Sequence, residues 1–256
     1  MMNLIESLRK RTIDQLFKVE SFEKHWERWQ VEIENKLGDE ITAEKLIDLG
    51  DHLSEIFQTT TEPGRSQDTL SGGGTAWECL ITWYINMCSI GSRVVAFKKM
   101  SEVPEPVRRA ITVNYVNFKC NTESDITVIV FPDRDEYTRP INDIELTDSK
   151  GRFKISNSKG LTNKKRALDF LSNRDYESYE VGIVQCKTNW NDNSQIPMMW
   201  SMIYNANSFR DPNISLGDAS YSLDRINRFS YSFVTVPSNK NEFKSDSVAV
   251  RRVILG

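Results

Sequence analysis

The spacing of apolar positions divides the chain into a helical first part and a strand-rich remainder. Leu4, Ile5, Leu8, Ile13, Leu16 and Phe17 recur every three to four residues, and Phe22, Trp26, Trp29 and Ile33 continue the pattern. That spacing predicts helix across residues 3–37. Leu46, Ile47, Leu53, Ile56 and Phe57 predict a second amphipathic helix over Ala43–Phe57. Residues 59–71 are polar and contain Pro63-Gly64, which reads as a loop. Gly72, Gly73 and Gly74 follow as a flexible bend. Thr75 then stands as the cap of an apolar helix from Ala76 to about Ile90, with Trp77, Leu80, Ile81, Trp83, Tyr84, Ile85 and Met87 on it.

Beyond this helix the pattern turns to strands. Residues 93–98 and 111–119 read as strands, with a turn or short helix at Pro104-Glu105-Pro106 between them. Residues 122–131 form a strand rich in β-branched side chains with Asp125 at its mouth. Residues 132–165 lack periodicity and read as an insertion, and Lys164–Leu171 returns the chain as a helix. Val181–Lys187 is a buried-type strand, and Ile196–Phe209 fits a helix starting near Pro197. Residues 211–227 are loop-like, and strands are expected at Arg228–Val236 and Ser247–Leu255. The expected fold class is α/β, a central mixed sheet flanked by helices. Residues 1–70 form an N-terminal helical segment, either a layer over the sheet or a dimerisation surface, and residues 71–256 form the main domain.

Composition narrows the chemistry. A chain of 256 residues with 27% charged and 39% hydrophobic residues is ordinary for a soluble globular protein. No apolar run approaches the roughly 20 residues of a membrane span, and the N-terminus lacks the shape of a signal peptide. The four Cys form no CxxC pair, which suits free thiols in a reducing, cytoplasmic setting. Two His argue against zinc sites and His-based catalysis, and neither a phosphate-binding P-loop nor a dinucleotide fingerprint is present. The net charge of −3 conceals an asymmetry: residues 1–69 hold 9 Lys+Arg against 15 Asp+Glu, and the remainder 24 against 21. The basic residues concentrate at Lys150, Arg152, Lys154, Lys159, Lys164, Lys165 and Arg166, a run without an acid. A solvated insertion explains that bias, and so does a DNA-contacting one, since Lys and Arg neutralise phosphates.

Three places hold candidate chemistry. Gln185 and Lys187 are two apart on a strand and project from one face, an amide oxygen beside an ammonium. A strand running into solvent accounts for the pair; so does metal-assisted attack on a phosphodiester. Glu78 is the lone acid of its apolar helix, placed either for the helix dipole or for an active site. Asp125 opens the most apolar strand, where Asp is otherwise disfavoured. The loop Asn189-Trp190-Asn191-Asp192-Asn193 leaves the Gln185–Lys187 strand and carries amides able to pair with bases or to make turns.

The stretches GGGTAWECLITWYIN, TESDITVIVF and YEVGIVQCKTNWND resemble the PD-(D/E)XK nuclease superfamily, and within it the type II restriction endonucleases. The resemblance covers roughly residues 71–190. It implies a restriction-endonuclease-like core and Mg²⁺-dependent, sequence-specific hydrolysis of double-stranded DNA. In it Asp125, Gln185 and the Cys186 carbonyl bind Mg²⁺, Glu78 holds a second ion or orients a ligand's water, and Lys187 positions the attacking water. Two departures stand out: the third motif position is Gln185 rather than an acid, and the gap from Asp125 must hold the insertion. Pro132-Asp133 matches the motif's name literally but follows its strand. Asp175, Glu177 and Glu180 are rival ligands closer in sequence to Lys187. The expected DNA contacts are Lys150, Arg152, Lys154, Lys164, Lys165, Arg166, Asn189, Trp190, Asn191 and Asn193. A repair or recombination nuclease, or a non-catalytic DNA-binding protein on the same fold, are the alternative functions.

Overall fold

The computed structural model describes residues 2–60, 67–120, 124–155, 160–188, 203–204 and 213–236. Four helices come first: α1 (Leu4–Leu16), α2 (Glu20–Leu37), α3 (Ala43–Gln58) and α4 (Gln67–Cys88). Then follow β1 (Val94–Phe97), α5 (Glu105–Ala110), β2 (Val113–Tyr115), β3 (Lys119–Cys120), β4 (Ile126–Val130) and α6 (Asp135–Thr138). The hairpin β5 (Glu145–Asp148) and β6 (Gly151–Lys154) precedes α7 (Gly160–Arg174), β7 (Glu180–Lys187), β8 (Ile214–Leu216) and β9 (Arg228–Thr235).

The main sheet has the order β1-β4-β7-β9. β1 and β7 both run antiparallel to β4, and β9 runs parallel to β7, so the sheet is mixed. Both of its faces are buried. Val95, Phe97, Ile129, Val181 and Ile183 join Leu4, Leu8 and the α7 residues Ala167 and Leu171 in one core. The alternate residues Ala96, Ile126, Val184 and Cys186 join α2, α3 and α4 in a second core. Alternation along a strand sends successive side chains to opposite faces, so burial on both sides requires near-continuous apolar strands, as found here.

Local chemistry sets the helix ends. Asn3 caps α1 by accepting from the Glu6 N–H at 2.8 Å, and Thr42 caps α3 through Lys45 at 3.3 Å. The helical spacing across residues 3–37 resolves into two helices, broken at residues 17–19. Aromatic packing fixes that break: Phe17 meets Phe22 and Trp26 edge-on at 5.3 and 5.0 Å, and Trp26 meets Trp83 of α4 at 5.2 Å. Such contacts contribute about 0.5–1.5 kcal/mol each beyond area burial.

Several boundaries differ from the sequence reading. α4 begins at Gln67, so Gly72–Gly74 lie inside the helix and Thr75 is no cap. Glycine costs about 1 kcal/mol in a helix interior, and the apolar face from Ala76 to Trp83, buried in the second core, outweighs that cost. Residues 111–119 divide into β2 and β3 around a turn in which Tyr115 and Phe118 stack at 4.6 Å. The insertion holds α6 and the β5–β6 hairpin, whose turn needs Gly151 at φ +99°. The loop expected at 211–227 contains β8, which extends a small sheet β3-β2-β8. The expected helix at 196–209, apart from residues 203–204, and the strand Ser247–Leu255 lie outside the described residues.

Gly50 marks the closest approach of α3 to α4. A Cβ there would lie 2.5 Å from the Tyr84 hydroxyl, which donates to the Ile47 carbonyl at 2.8 Å. Gly50→Ala gains about 1 kcal/mol of helix propensity but forces the ring out of place, an overpacking cost of about 1–3 kcal/mol. The expected outcome is a net loss of about 1 kcal/mol in urea unfolding, with Gly50→Ala/Tyr84→Phe recovering part of it.

Candidate functional site

The site forms where β4 begins and where β1 and β7 end. Ile126 pairs with Val184, so extending the register by one residue sets Asp125 across from Gln185. The Asp125 carboxylate turns onto the neighbouring strand: Oδ2 accepts from the Cys186 backbone N–H at 2.8 Å. Lys187 Nζ lies 3.9 Å from the same oxygen. Ser124 and Thr127 exchange a hydroxyl hydrogen bond of 2.9 Å beneath the turn, which steadies the entry into β4.

Glu78 reaches the same place from α4. Its carboxylate pairs with Lys98, which follows β1, and both side chains are mostly buried. The sequence reading missed Lys98. Its signal was a lone acid in an apolar helix facing a strand that ends in lysine, but only the fold shows that the two meet.

The electrostatics link all four groups. Burial raises the Glu78 carboxyl above its ordinary range; Lys98 opposes this, nearby Asp125 adds to it, and Lys187 opposes it. Burial likewise raises Asp125, against the Cys186 N–H, Lys187 and Lys98. Burial works to lower Lys98, but the Glu78 carboxylate outweighs it and holds the ammonium above the usual lysine range. Two carboxylates and two ammonium groups thus lie near enough to act on one another in partly buried surroundings, and the carboxyls stay raised. Burial also pushes the Cys186 thiol well up and the Cys79 thiol up to about 12, so neither is a thiolate nucleophile.

Gln185 behaves differently. It is 3% exposed and sits in the face of Val181 and Ile183, opposite the α4 layer. Its Oε1 accepts from the Tyr231 hydroxyl of β9 at 2.7 Å. The expected pairing of Gln185 with Lys187 at one centre is therefore loosened: Lys187 turns toward Asp125, and Gln185 is held by Tyr231.

The rival acids stand elsewhere. Glu180 opens β7, seven residues and roughly 23 Å of strand from Lys187. Asp175 is buried and accepts from Tyr137 at 3.0 Å and Arg174 at 2.7 Å, a structural role. Glu177 pairs with Arg225 at 3.0 Å, and Asp133 is exposed beyond the opposite end of β4.

The basic run lies on the β5–β6 hairpin and α7. Arg152 bonds Glu145 at 2.8 Å. Arg166 bonds Asp148 at 2.7 Å, stacks over Phe153 at 4.0 Å, and holds the Asp148 carboxyl down at about 2. Lys164 donates to Ser7 at 2.7 Å, while Lys150, Lys154 and Lys165 are exposed. Lys159 and the loop Asn189, Trp190, Asn191, Asp192 and Asn193 lie outside the described residues.

No protein-family model and no curated protein matches this chain. Among the described residues no group of three or more His, Cys, Asp and Glu is disposed to hold a metal ion, and no helix is long and apolar enough to cross a membrane.

The Lys98–Glu78 pair is open to direct test. Lys98→Met leaves the Glu78 carboxylate beside Asp125 without its main counter-ion. The expected destabilisation at neutral pH is about 1–2 kcal/mol, below that of a fully buried pair because both groups keep some exposure. The Glu78 carboxyl titrates above its ordinary range, and once protonated it needs no counter-ion. The deficit should therefore shrink as pH falls through that raised value, which denaturant melts across the acidic range will check.

Proposed function

We propose that this chain is a Mg²⁺-dependent endonuclease of the PD-(D/E)XK kind, a type II restriction enzyme that hydrolyses phosphodiester bonds in double-stranded DNA at a specific sequence. The observation that carries this reading is the meeting of Glu78, Asp125 and Lys187 in one charged pocket. They come from the three stretches that bear the resemblance, separated by 47 and 62 positions. The restriction-endonuclease-like core belongs to the same proposal. Its support is the order of α4, the antiparallel set β1, β4 and β7, and the parallel β9.

The donor set suits Mg²⁺ better than a softer ion. It offers hard oxygens, the carboxylates of Asp125 and Glu78 with the Cys186 carbonyl, whereas the Gln185 amide is held by Tyr231 on the other face. Mg²⁺ binds through one or two carboxylates plus substrate phosphates and keeps several waters, so a large protein cage is not required. Burial has raised both carboxyls, and a dication offsets that cost. When bound, the ion polarises a phosphoryl oxygen and acidifies its water.

The chain's own residues supply the rest. Asp125 is held in place by the Cys186 N–H, so its orientation is set before substrate arrives. Lys187 brings positive charge to the scissile phosphate as water adds to phosphorus and one P–O bond breaks. Lys98 pairs with Glu78 and opposes the burial that raises its carboxyl.

One observation favours a second reading. Gln185 Oε1 is already engaged by Tyr231, as it would be in a DNA-binding protein that has lost catalysis. Digestion of a sequenced phage DNA with Mg²⁺, with the cut ends read, separates the cases. Discrete bands with common ends support the restriction enzyme. Smears or cuts at forks support a repair nuclease, and retardation without cleavage supports the binding protein.

Within the main reading, Asp125→Ala and Lys187→Ala should each lower the cleavage rate by on the order of 10³. DNA affinity should stay near wild type in both, because it is spread over many phosphate contacts. Normal cutting by either purified variant would remove the proposed centre.

A further inference from the structure

α1 lies along β1 and connects the two ends of the main sheet. From its middle, Arg9 Nη2 donates to the carbonyls of Ser92 and Val94 at 3.1 and 2.6 Å, where β1 begins. Near its end, Gln15 accepts from Lys99 at 3.0 Å, just past Lys98 where β1 finishes. The helix thus runs from the side of the basic insertion to the charged pocket.

Three clefts follow the same course. One of about 780 Å³ is bounded by Lys150, Lys165, Arg166 and Arg11. The next, about 620 Å³, is bounded by Lys10, Arg11, Lys164 and Lys165, so it shares Arg11 and Lys165 with the first. The last, about 230 Å³, holds Lys98, Lys99 and Thr12, and shares Glu102 with the second. Neighbouring clefts thus share walls, Arg11, Lys165 and Asp169 between the first two and Glu102 between the last two. Counting each residue once, they carry eight Lys and Arg against four Asp and Glu, on a chain whose net charge is −3. At the last cleft the buried Thr12 hydroxyl has no hydrogen-bond partner among the described residues.

We infer that this groove is a track for the sugar–phosphate backbone of DNA, leading from the β5–β6 hairpin along α1 to the pocket at Lys98, Glu78 and Asp125. The inference rests on the nuclease reading, which gives the track its destination. It adds Lys10 and Lys99 to the DNA-contacting surface, neither of them in the basic run. The 13 residues of α1 span about 20 Å, the axial length of about six phosphates of one strand. A solvated basic surface would account for scattered lysines. It does not account for concave walls with a two-to-one excess of cations, the last of which holds Lys98, the partner of Glu78. Arg11 and Arg166 already hold acids in these walls, with Arg11 bonded to Glu102 at 3.1 Å. They serve as fixed walls, while the exposed Lys150 and Lys165 meet phosphate, and Lys10 does so in exchange for its exposed i,i+4 pair with Asp14 at 2.7 Å.

The test uses the whole chain and a fluorescent synthetic duplex, with Ca²⁺ in place of Mg²⁺, and follows anisotropy over a range of salt. Lys10→Ala/Lys150→Ala/Lys165→Ala alters only exposed side chains, and an unchanged melting curve will verify its fold. Removing three phosphate contacts should flatten the slope of log affinity against log salt by about 2–3 and weaken binding at least about tenfold. The control Lys24→Ala/Arg28→Ala/Lys36→Ala removes the same charge from exposed positions on α2 and should leave the slope unchanged. If the wild type binds but the groove variant keeps its affinity and slope, or if both variants lose equally, the track is overturned and the nuclease reading stands. If the wild type binds no DNA at all, the nuclease reading falls and takes the track with it.

Discussion

The register of β4 against β7 is the constraint on which the site depends. With Ile126 opposite Val184, the residue before β4 meets the end of β7, and the Cys186 N–H finds the Asp125 carboxylate at 2.8 Å. A slip of one residue would turn every side chain of one strand to the other face. Ile129 would leave the α1–α7 core and Val128 would enter it. Both faces of this sheet are packed, so such a slip strands apolar groups on two sides at once. The packing that fixes the fold therefore also fixes the position of Asp125.

The same packing makes the pocket costly. α4 carries Glu78 into the second core, and β1 delivers Lys98 beside it, so charges are drawn from water by elements held elsewhere through aromatic and aliphatic contacts. Removing ions from water without partners costs several kcal/mol each. Here two carboxylates face two ammonium groups, and each carboxyl remains raised despite them. A surface that only had to be stable would place apolar side chains at these positions. Perturbed, mutually coupled groups at the mouth of a sheet are the pattern of a site arranged for chemistry or for an ion.

Much of this was legible in the sequence, for identifiable reasons. β7 announces itself through Val181, Ile183 and Val184, and Asp125 stands out because Asp seldom opens so apolar a strand. Glu180 stands at the far end of β7 and Asp175 is buried beside Arg174, while Glu78 shows in the sequence as the lone acid between Ala76 and Ile90. What sequence could not show were partners fixed at long range. Lys98 meets Glu78 across 20 positions, and Tyr231 takes Gln185 across 46. The α4 boundary was misread because glycine propensity is local, whereas the packing that overrides it is tertiary. Residues 111–119 kept their strand character but folded back at Tyr115–Phe118 into two short strands.

The central claim of the proposal is that Asp125 and Glu78 serve divalent-metal binding. Titrating the protein with Mn²⁺ in the presence of duplex DNA, and following the free ion's paramagnetic resonance, measures this without relying on cleavage. The account predicts saturable binding that Asp125→Asn and Glu78→Gln each weaken at least about tenfold, the loss of one charged ligand being worth more than 1.4 kcal/mol. Binding that is absent in the wild type, or equal in all three proteins, would contradict it.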